Sequence, residues 1–255
     1  TIEHWYYNTF FPKYAKLATK LITVSNYTKQ DIITQYNIDS KKIEVIYNAP
    51  SVGFKPISIT EKKEIQNKFA YGQEYFCYVG ALHPRKNIEN LLLSFDVYKT
   101  KLKNNFKLII VGRKAWKSKK IDEVFKNMTF AKDVIFTGRL NEEELNKVTA
   151  SAFAMVYIPL FEGFGLPIVE AMACDVPIIC SNVTSMPEVA GDAAILVSPN
   201  DINEISQAMI NLTENTDLYQ QKKLASAVRK KDFSWDIAAA KMWNTIEQTL
   251  EKQIE

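Results

Sequence analysis

Phe153–Cys180 reads FAMVYIPLFEGFGLPIVEAMACDVPIIC. Phe153–Ile158 and Val176–Cys180 are apolar runs of strand length, and a glycine-bearing loop and a helical pattern lie between them. Glu162 closes the loop, Gly163 and Gly165 flank Phe164, and Pro167 opens the apolar helical run. Glu170 is the only charge in that run before Asp175. Strand, helix and strand in this order make a parallel βαβ unit, and strands apolar throughout belong to a sheet covered on both faces. The loop follows a strand C-terminus, where open α/β sheets bind their ligands.

The alternation continues on the N-terminal side. Tyr75–Val79, Phe106–Val111 and Val134–Thr137 read as strands, ended by Gly80, Gly112 and Gly138. Helices are predicted from Ile88 to about Lys103 with Asn87 as cap, over Ile121–Met128, and over Glu142–Ala150 with Asn141 as cap. Thr60 is the predicted cap of a helix through Phe69, and Ser51–Ile59 reads as a linker. Further upstream, Lys20–Val24 and Ile43–Ile46 are short strands around a helix over Asn26–Tyr36 capped by Ser25. His4–Tyr14 is an aromatic helix-like stretch interrupted by Pro12, and such a density of rings calls for a packing partner. C-terminal to the quoted stretch come a short helix near Ser185–Glu188 and a strand over Ala194–Val197. Helical patterns follow from Asp201 to about Leu212, over Leu218–Lys230 and over Trp235–Lys252. The predicted fold class is α/β: a Rossmann-like parallel sheet with helices on both faces. Four glycine-bearing loops, at Gly80, Gly112, Gly138 and Gly163, share one rim of it.

Composition narrows the function classes. The formal charge is +3, from 32 Lys and Arg against 29 Asp and Glu, which is too mild for a nucleic-acid partner. Cys77, Cys174 and Cys180 sit in apolar runs with no metal spacing, and an odd count argues against a disulfide framework, pointing to a cytoplasmic protein. No apolar run approaches the length of a membrane span. His4 and His83 are the only histidines, so no metal is expected. There is no GxGxxG and no P-loop. The chain starts at Thr1 within the aromatic pattern, which suggests a piece of something longer.

Three segments can carry chemistry. Gly80-Ala81-Leu82-His83-Pro84-Arg85-Lys86-Asn87 places two cations at a helix start. Positive charge there opposes the helix dipole, unless backbone N–H groups and side chains share a phosphate. On this segment alone a phosphate site and a solvated basic loop are equally open. Glu162 and Glu170 could form an acid/base pair, and Glu170 could simply favour a helix N-terminus. The reading that fits best puts Glu170 one turn into the helix, accepting hydrogen bonds from a ribose diol. The amides of Gly165 and Leu166 then face a sugar-phosphate and Glu162 faces the sugar. Gly138-Arg139-Leu140 could cradle a base, although alone it reads as a plain turn. The run Arg113, Lys114, Lys117, Lys119 and Lys120 reads as a solvated face.

These pieces together resemble the retaining glycosyltransferases of group 1 (glycosyltransferase family 4), which have the GT-B fold of two facing Rossmann-like domains. The resemblance rests first on Glu162-Gly-Phe-Gly-Leu-Pro-Ile-Val-Glu170, followed by Ala171-Met172-Ala173 and Val176-Pro177. It is supported by Val45-Ile46-Tyr47-Asn48, Tyr78-Val79-Gly80, Arg85-Lys86-Asn87, Phe136-Thr137-Gly138 and Pro187-Glu188-Val189-Ala190-Gly191. The resemblance implies that Lys86 holds a donor diphosphate, Glu170 the ribose and Glu162 the donor sugar. It also implies that the amides of Gly163, Phe164, Gly165 and Leu166 contact sugar and phosphate, with Gly80 near the donor and Gly138 and Arg139 against the base. Many members carry arginine where this chain has Ala81; Arg85, in a PRKN pattern similar to mannosyl- and related transferases, is the expected second cation. Residues 1–50 would be the tail of an N-terminal acceptor domain, 51–233 the donor domain, and 234–255 a helix packing back on the first domain. The implied reaction is transfer of a hexose, such as mannose, from a nucleotide-diphosphate donor to a glycan or lipid-linked acceptor, with Lys86, Arg85 and Glu162 at its centre. It would need no metal or other cofactor, and would run in the cytoplasm or at the inner face of the membrane with peripheral association. As an isolated piece the chain is expected to bind donor and turn over slowly. A non-catalytic nucleotide-sugar-binding module and a nucleotide-sugar epimerase of related fold remain as alternatives.

Overall fold

The computed structural model describes residues 2–113 and 119–251. The chain divides into two compact units: Thr1–Ala49 with Phe233–Glu255, and Pro50–Asp232.

The smaller unit begins with α1 (Ile2–Leu17), β1 (Leu21–Thr23), α2 (Asn26–Tyr36) and β2 (Ile43–Val45). The helix α1 runs through Pro12 rather than breaking there. Proline removes one backbone hydrogen bond, but ring pairs at helical spacing bridge the turns on either side. Tyr6 meets Phe10 with centroids 5.0 Å apart, Tyr7 meets Phe11 at 4.8 Å and Phe10 meets Tyr14 at 6.1 Å. Trp5, Tyr7 and Tyr14 nonetheless stay exposed. Ser25 caps α2 as expected, its hydroxyl accepting from the Thr28 amide at 3.0 Å. β1 and β2 pair in parallel, and Ala15, Ile38 and Ile43 form a small core under them.

The larger unit carries α3 (Ile59–Ala70), β3 (Tyr75–Val79), α4 (Ile88–Leu102), β4 (Lys107–Val111), α5 (Lys119–Asn127), β5 (Val134–Gly138) and α6 (Glu142–Ser151). It continues with β6 (Ala154–Tyr157), α7 (Leu166–Ala173), β7 (Ile178–Ser181), α8 (Met186–Ala190), β8 (Ala194–Val197), α9 (Ile202–Glu214) and α10 (Thr216–Arg229). The last helix, α11 (Trp235–Glu251), belongs to the smaller unit. Ser58, not Thr60, caps α3: it forms a reciprocal capping box with Glu61, a pairing that satisfies two orphan donors where a cap at Thr60 would have no acid three residues on.

The six strands of the larger unit form one parallel sheet in the order β5-β4-β3-β6-β7-β8. β3, β6 and β7 are buried along their whole length, as apolar strands covered on both faces must be. The chain leaves β3 toward one edge and returns to β6 on the other side, so the switch point lies between these two strands. Their C-terminal ends carry the loops singled out from the sequence. The neighbouring strand ends lie in line, with the Gly80 amide donating to the Val111 carbonyl and the Gly112 amide to the Gly138 carbonyl, both at 2.9 Å. A Cβ on Gly112 would sit 1.8 Å from the Gly80 carbonyl oxygen, so only glycine lets these two loops touch.

Candidate functional site

The loop after β3 is held by its own side chains. Leu82 is buried, and Pro84–Lys86 forms a single tight turn whose first amide, on Arg85, donates to His83 Nδ1 at 3.2 Å. Asn87 ends the turn in the left-handed conformation and makes no side-chain cap for α4, contrary to the sequence expectation. Its amide group instead donates to the carbonyls of Ile158 at 3.1 Å and Pro199 at 2.7 Å. The Leu160 amide donates to the Arg85 carbonyl at 2.9 Å, and Arg85 Nη1 donates to the Phe161 carbonyl at 3.1 Å. The loop after β3 is thereby stitched to the loop after β6 across the switch point.

This stitching brings Arg85, Lys86 and Glu162 together. Both cations contact the same carboxylate oxygen, Glu162 Oε1. The Lys86 side chain is only 13% exposed, against 48% for Arg85. Lys86 Nζ also donates to the Tyr157 hydroxyl at 2.5 Å and lies 5.1 Å from the centroid of that ring. Tyr157 stacks on Tyr78 with centroids 5.9 Å apart. Burial lowers the Lys86 pKa, and the hydrogen bond and charge of Glu162 partly restore it. Burial raises the pKa of both tyrosines, and the Glu162 charge adds to it, so both stay neutral donors. The two tyrosines were not singled out in the sequence; the available signal was that hydroxyl-bearing rings, Tyr75 and Tyr78 in β3 and Tyr157 in β6, stand in strands that are otherwise apolar. Glu162 is positioned by its backbone, whose carbonyl accepts from the Ser185 hydroxyl at 3.0 Å and whose amide donates to Thr184 Oγ1 at 3.4 Å.

Gly163–Leu166 lead from Glu162 into α7. Gly165 caps the helix at φ 96°, and a Cβ there would meet Met186 Cε at 2.6 Å. Phe164 is buried while Leu166 is exposed. Pro167 takes the second helical position, one later than expected, where its missing N–H is still among those the first turn leaves unbonded. Glu170 follows in the next turn and is 9% exposed. Burial alone pushes its carboxyl up to about 7.

Glu170 lines a cavity of about 510 Å³ together with Gly80, Ala81, Gly112, Arg139 and Leu140. Gly138, at φ 71°, turns the chain just before Arg139. The segment read as a linker contributes as well: Ser51 and Phe54 line the same cavity, and the Ser51 hydroxyl donates to Glu142. Of the basic run, Arg113 borders the cavity, Lys119 and Lys120 are exposed, and Lys114 and Lys117 lie outside the described residues. The predicted residues thus fall into two groups at the rim: a carboxylate gripped by two cations, and a cavity holding a second carboxylate against glycine backbone. Among the described residues no three His, Cys, Asp or Glu side chains converge as a metal site would require, and no helix is long and apolar enough to cross a membrane.

Residues 59–231 match the family model described as Glycosyl transferases group 1. The chain belongs to this family. The O-antigen chain mannosyltransferase B of Escherichia coli is 32% identical over 220 residues, covering 86% of this chain and 58% of the relative. The O-antigen chain mannosyltransferase RfbU of Salmonella typhimurium is 30% identical over 216 residues, covering 85% and 57%. The chain therefore spans under three fifths of the length of these two relatives. In fold it is similar to the sucrose-phosphate synthase of Thermosynechococcus elongatus, with a TM-score of 0.82 at 20% identity over 94% of this chain and 61% of that one. The Anabaena protein Alr3699/HepE, solved with UDP-glucose, gives a TM-score of 0.83 at 17% identity, covering 97% and 70%. The expected family and the expected GT-B-type parallel sheet both stand.

Proposed function

We propose that this group 1 chain binds a nucleoside diphosphate hexose and serves its transfer to an acceptor hydroxyl. The observation that carries this reading is the convergence of Arg85 and Lys86 on a single anionic oxygen at the switch point, on the same rim as the cavity that holds Glu170. In transfer, the bond from the anomeric carbon to the diphosphate oxygen breaks and the acceptor oxygen takes its place. The negative charge that grows on the departing diphosphate is met by Arg85, Lys86 and the positive end of α7. Glu170 accepts from the ribose hydroxyls, the amides of Gly163–Leu166 meet sugar and phosphate, and Glu162 meets sugar hydroxyls. Arg139 and the backbone at Gly80 and Gly138 border the base. We take the transfer to proceed with retention and to a glycan or lipid-linked acceptor at the inner face of the membrane, as the resemblance implies, and the relatives' names favour a mannosyl donor. Because the cations and the helix dipole answer the diphosphate charge, donor binding needs no divalent metal and is expected to survive EDTA.

A thermal-shift panel of UDP-, GDP-, ADP- and dTDP-hexoses tests the site. One donor should raise the melting temperature, and Lys86→Ala and Glu170→Ala should each remove most of that rise. An unchanged rise in both variants would overturn the assignment.

A further inference from the structure

Glu162 occupies the place of an anion between Arg85 and Lys86. Arg85 and Lys86 come from one loop and Glu162 from another, yet both cations end on the same carboxylate oxygen, and the side chains of Lys86 and Glu162 are each only 13% exposed. Bringing two cations this close in a partly desolvated loop is unfavourable unless an anion lies between them. A diphosphate that uses Arg85 and Lys86 must take them from Glu162.

We propose that Glu162 is a specificity-determining residue that stands in for the diphosphate and thereby makes the site select the intact sugar donor over the free nucleoside diphosphate. This rests on the function proposed above. The two ligands differ in what they offer the displaced carboxylate. A sugar donor presents hydroxyl groups, which donate to Glu162 in place of the lost cations. A free nucleoside diphosphate presents instead a terminal phosphate with one more ionisable oxygen, so the carboxylate loses its cations, gains no donor and faces a like charge. The consequence for turnover is that the product leaves as soon as the sugar has gone, because Glu162 competes for the cations it held.

The test measures the affinities of UDP against UDP-glucose and of GDP against GDP-mannose, by calorimetry at pH 7, for the wild-type chain and Glu162→Gln. For the pair that binds, the variant should hold the free diphosphate about tenfold more tightly, the effect of about 1.4 kcal/mol of lost competition. Its affinity for the sugar donor should stay the same or fall. Equal tightening of both ligands would reduce Glu162 to a general field effect, and weaker binding of the free diphosphate would mean that Glu162 holds the cations in place for it; either result overturns the proposal. Glu162→Ala repeats the measurement without a side-chain amide, and unfolding curves without ligand confirm that each variant is folded. Failure of the wild-type chain to bind any of these four ligands or any other donor of the thermal-shift panel would sink the donor reading itself, and this inference with it. Wild-type binding with unchanged selectivity in the variants would sink only the inference.

Discussion

Replacing Glu170 by glutamine removes an ionisable group that folding buries, and the structure fixes the sign of the effect. The carboxyl is pushed from its ordinary 4.5 up to about 7 by burial. A carboxyl raised in this way binds its proton more tightly in the folded state, so it favours folding below pH 4.5 and the advantage is lost as pH rises through about 7. At 1.36 kcal/mol per pKa unit the whole span corresponds to about 3 kcal/mol, of which about 2.5 kcal/mol falls between pH 5 and pH 8. Glutamine keeps the shape and carries no charge at either pH. Glu170→Gln should therefore gain stability over the wild type on going from pH 5 to pH 8, visible as a melting-temperature difference that widens by about 5 to 10 °C. Other titrating groups affect both proteins alike and cancel in the difference. Donor binding should show the opposite dependence. A ribose diol needs the ionised carboxylate as acceptor, so wild-type affinity should climb from pH 6 to a plateau above pH 7, while Glu170→Gln binds weakly and without that climb. A melting-temperature gap that stays constant from pH 5 to pH 8 would refute the reasoning, because Glu170 would then be solvated in the folded chain.

Three further outcomes follow from the same site. Tyr157→Phe keeps the ring stack on Tyr78 and removes only the hydroxyl that meets Lys86 at 2.5 Å; donor affinity in a binding titration should drop by about tenfold, as expected for a hydrogen bond to a charged group, with little change in melting temperature. Gly112→Ala forces a methyl against the Gly80 carbonyl oxygen, so the loop pair at the cavity must part, costing more than about 3 kcal/mol in chemical denaturation and weakening donor binding. Lys86 already has a lowered pKa that Glu162 partly restores. In Glu162→Gln a larger share of Lys86 is the neutral amine at pH 8, and acylation of this lysine, followed by mass spectrometry, should be faster than in the wild type.

The sheet was legible because its signals are local. LIIV at Leu108–Val111 and AMVY at Ala154–Tyr157 are too apolar to be anything but covered strands, and each is followed by a glycine-bearing loop. Helix starts were legible at Ser25, Asn141 and Asp201, all of which accept from an amide within the next three residues, whereas the equally local capping box of Ser58 with Glu61 was read two residues late, at Thr60. Asn87 failed as a cap because its side chain bonds Ile158 and Pro199, 71 and 112 residues away in sequence. The same holds for the core ion pairs. Lys99, buried within α4, pairs with Asp133 at 2.8 Å and donates to the Phe106 carbonyl at 3.1 Å, and nothing near position 99 announces that a lysine there is enclosed.

The site divides along the same line. Residue types and spacing could say that Arg85-Lys86 suits an anion and that Glu170 follows a helix start, because both are properties of one loop and one helix. The ion pairs of Glu162 could not be read from its own segment, since its partners lie 77 and 76 residues upstream and reach it only because β3 and β6 are neighbours at the switch point. The reading of Glu162 as a grip on the sugar treats it as waiting for a ligand. The geometry adds that it is already occupied, holding the two cations that the diphosphate would claim. Two adjacent cations at the start of α4, an arrangement the helix dipole opposes, are neutralised by that carboxylate. On the proposed function, Arg85, Lys86 and Glu162 are thus parts of one device, and binding of the donor would be an exchange of partners at the two cations rather than the filling of an open cationic pocket.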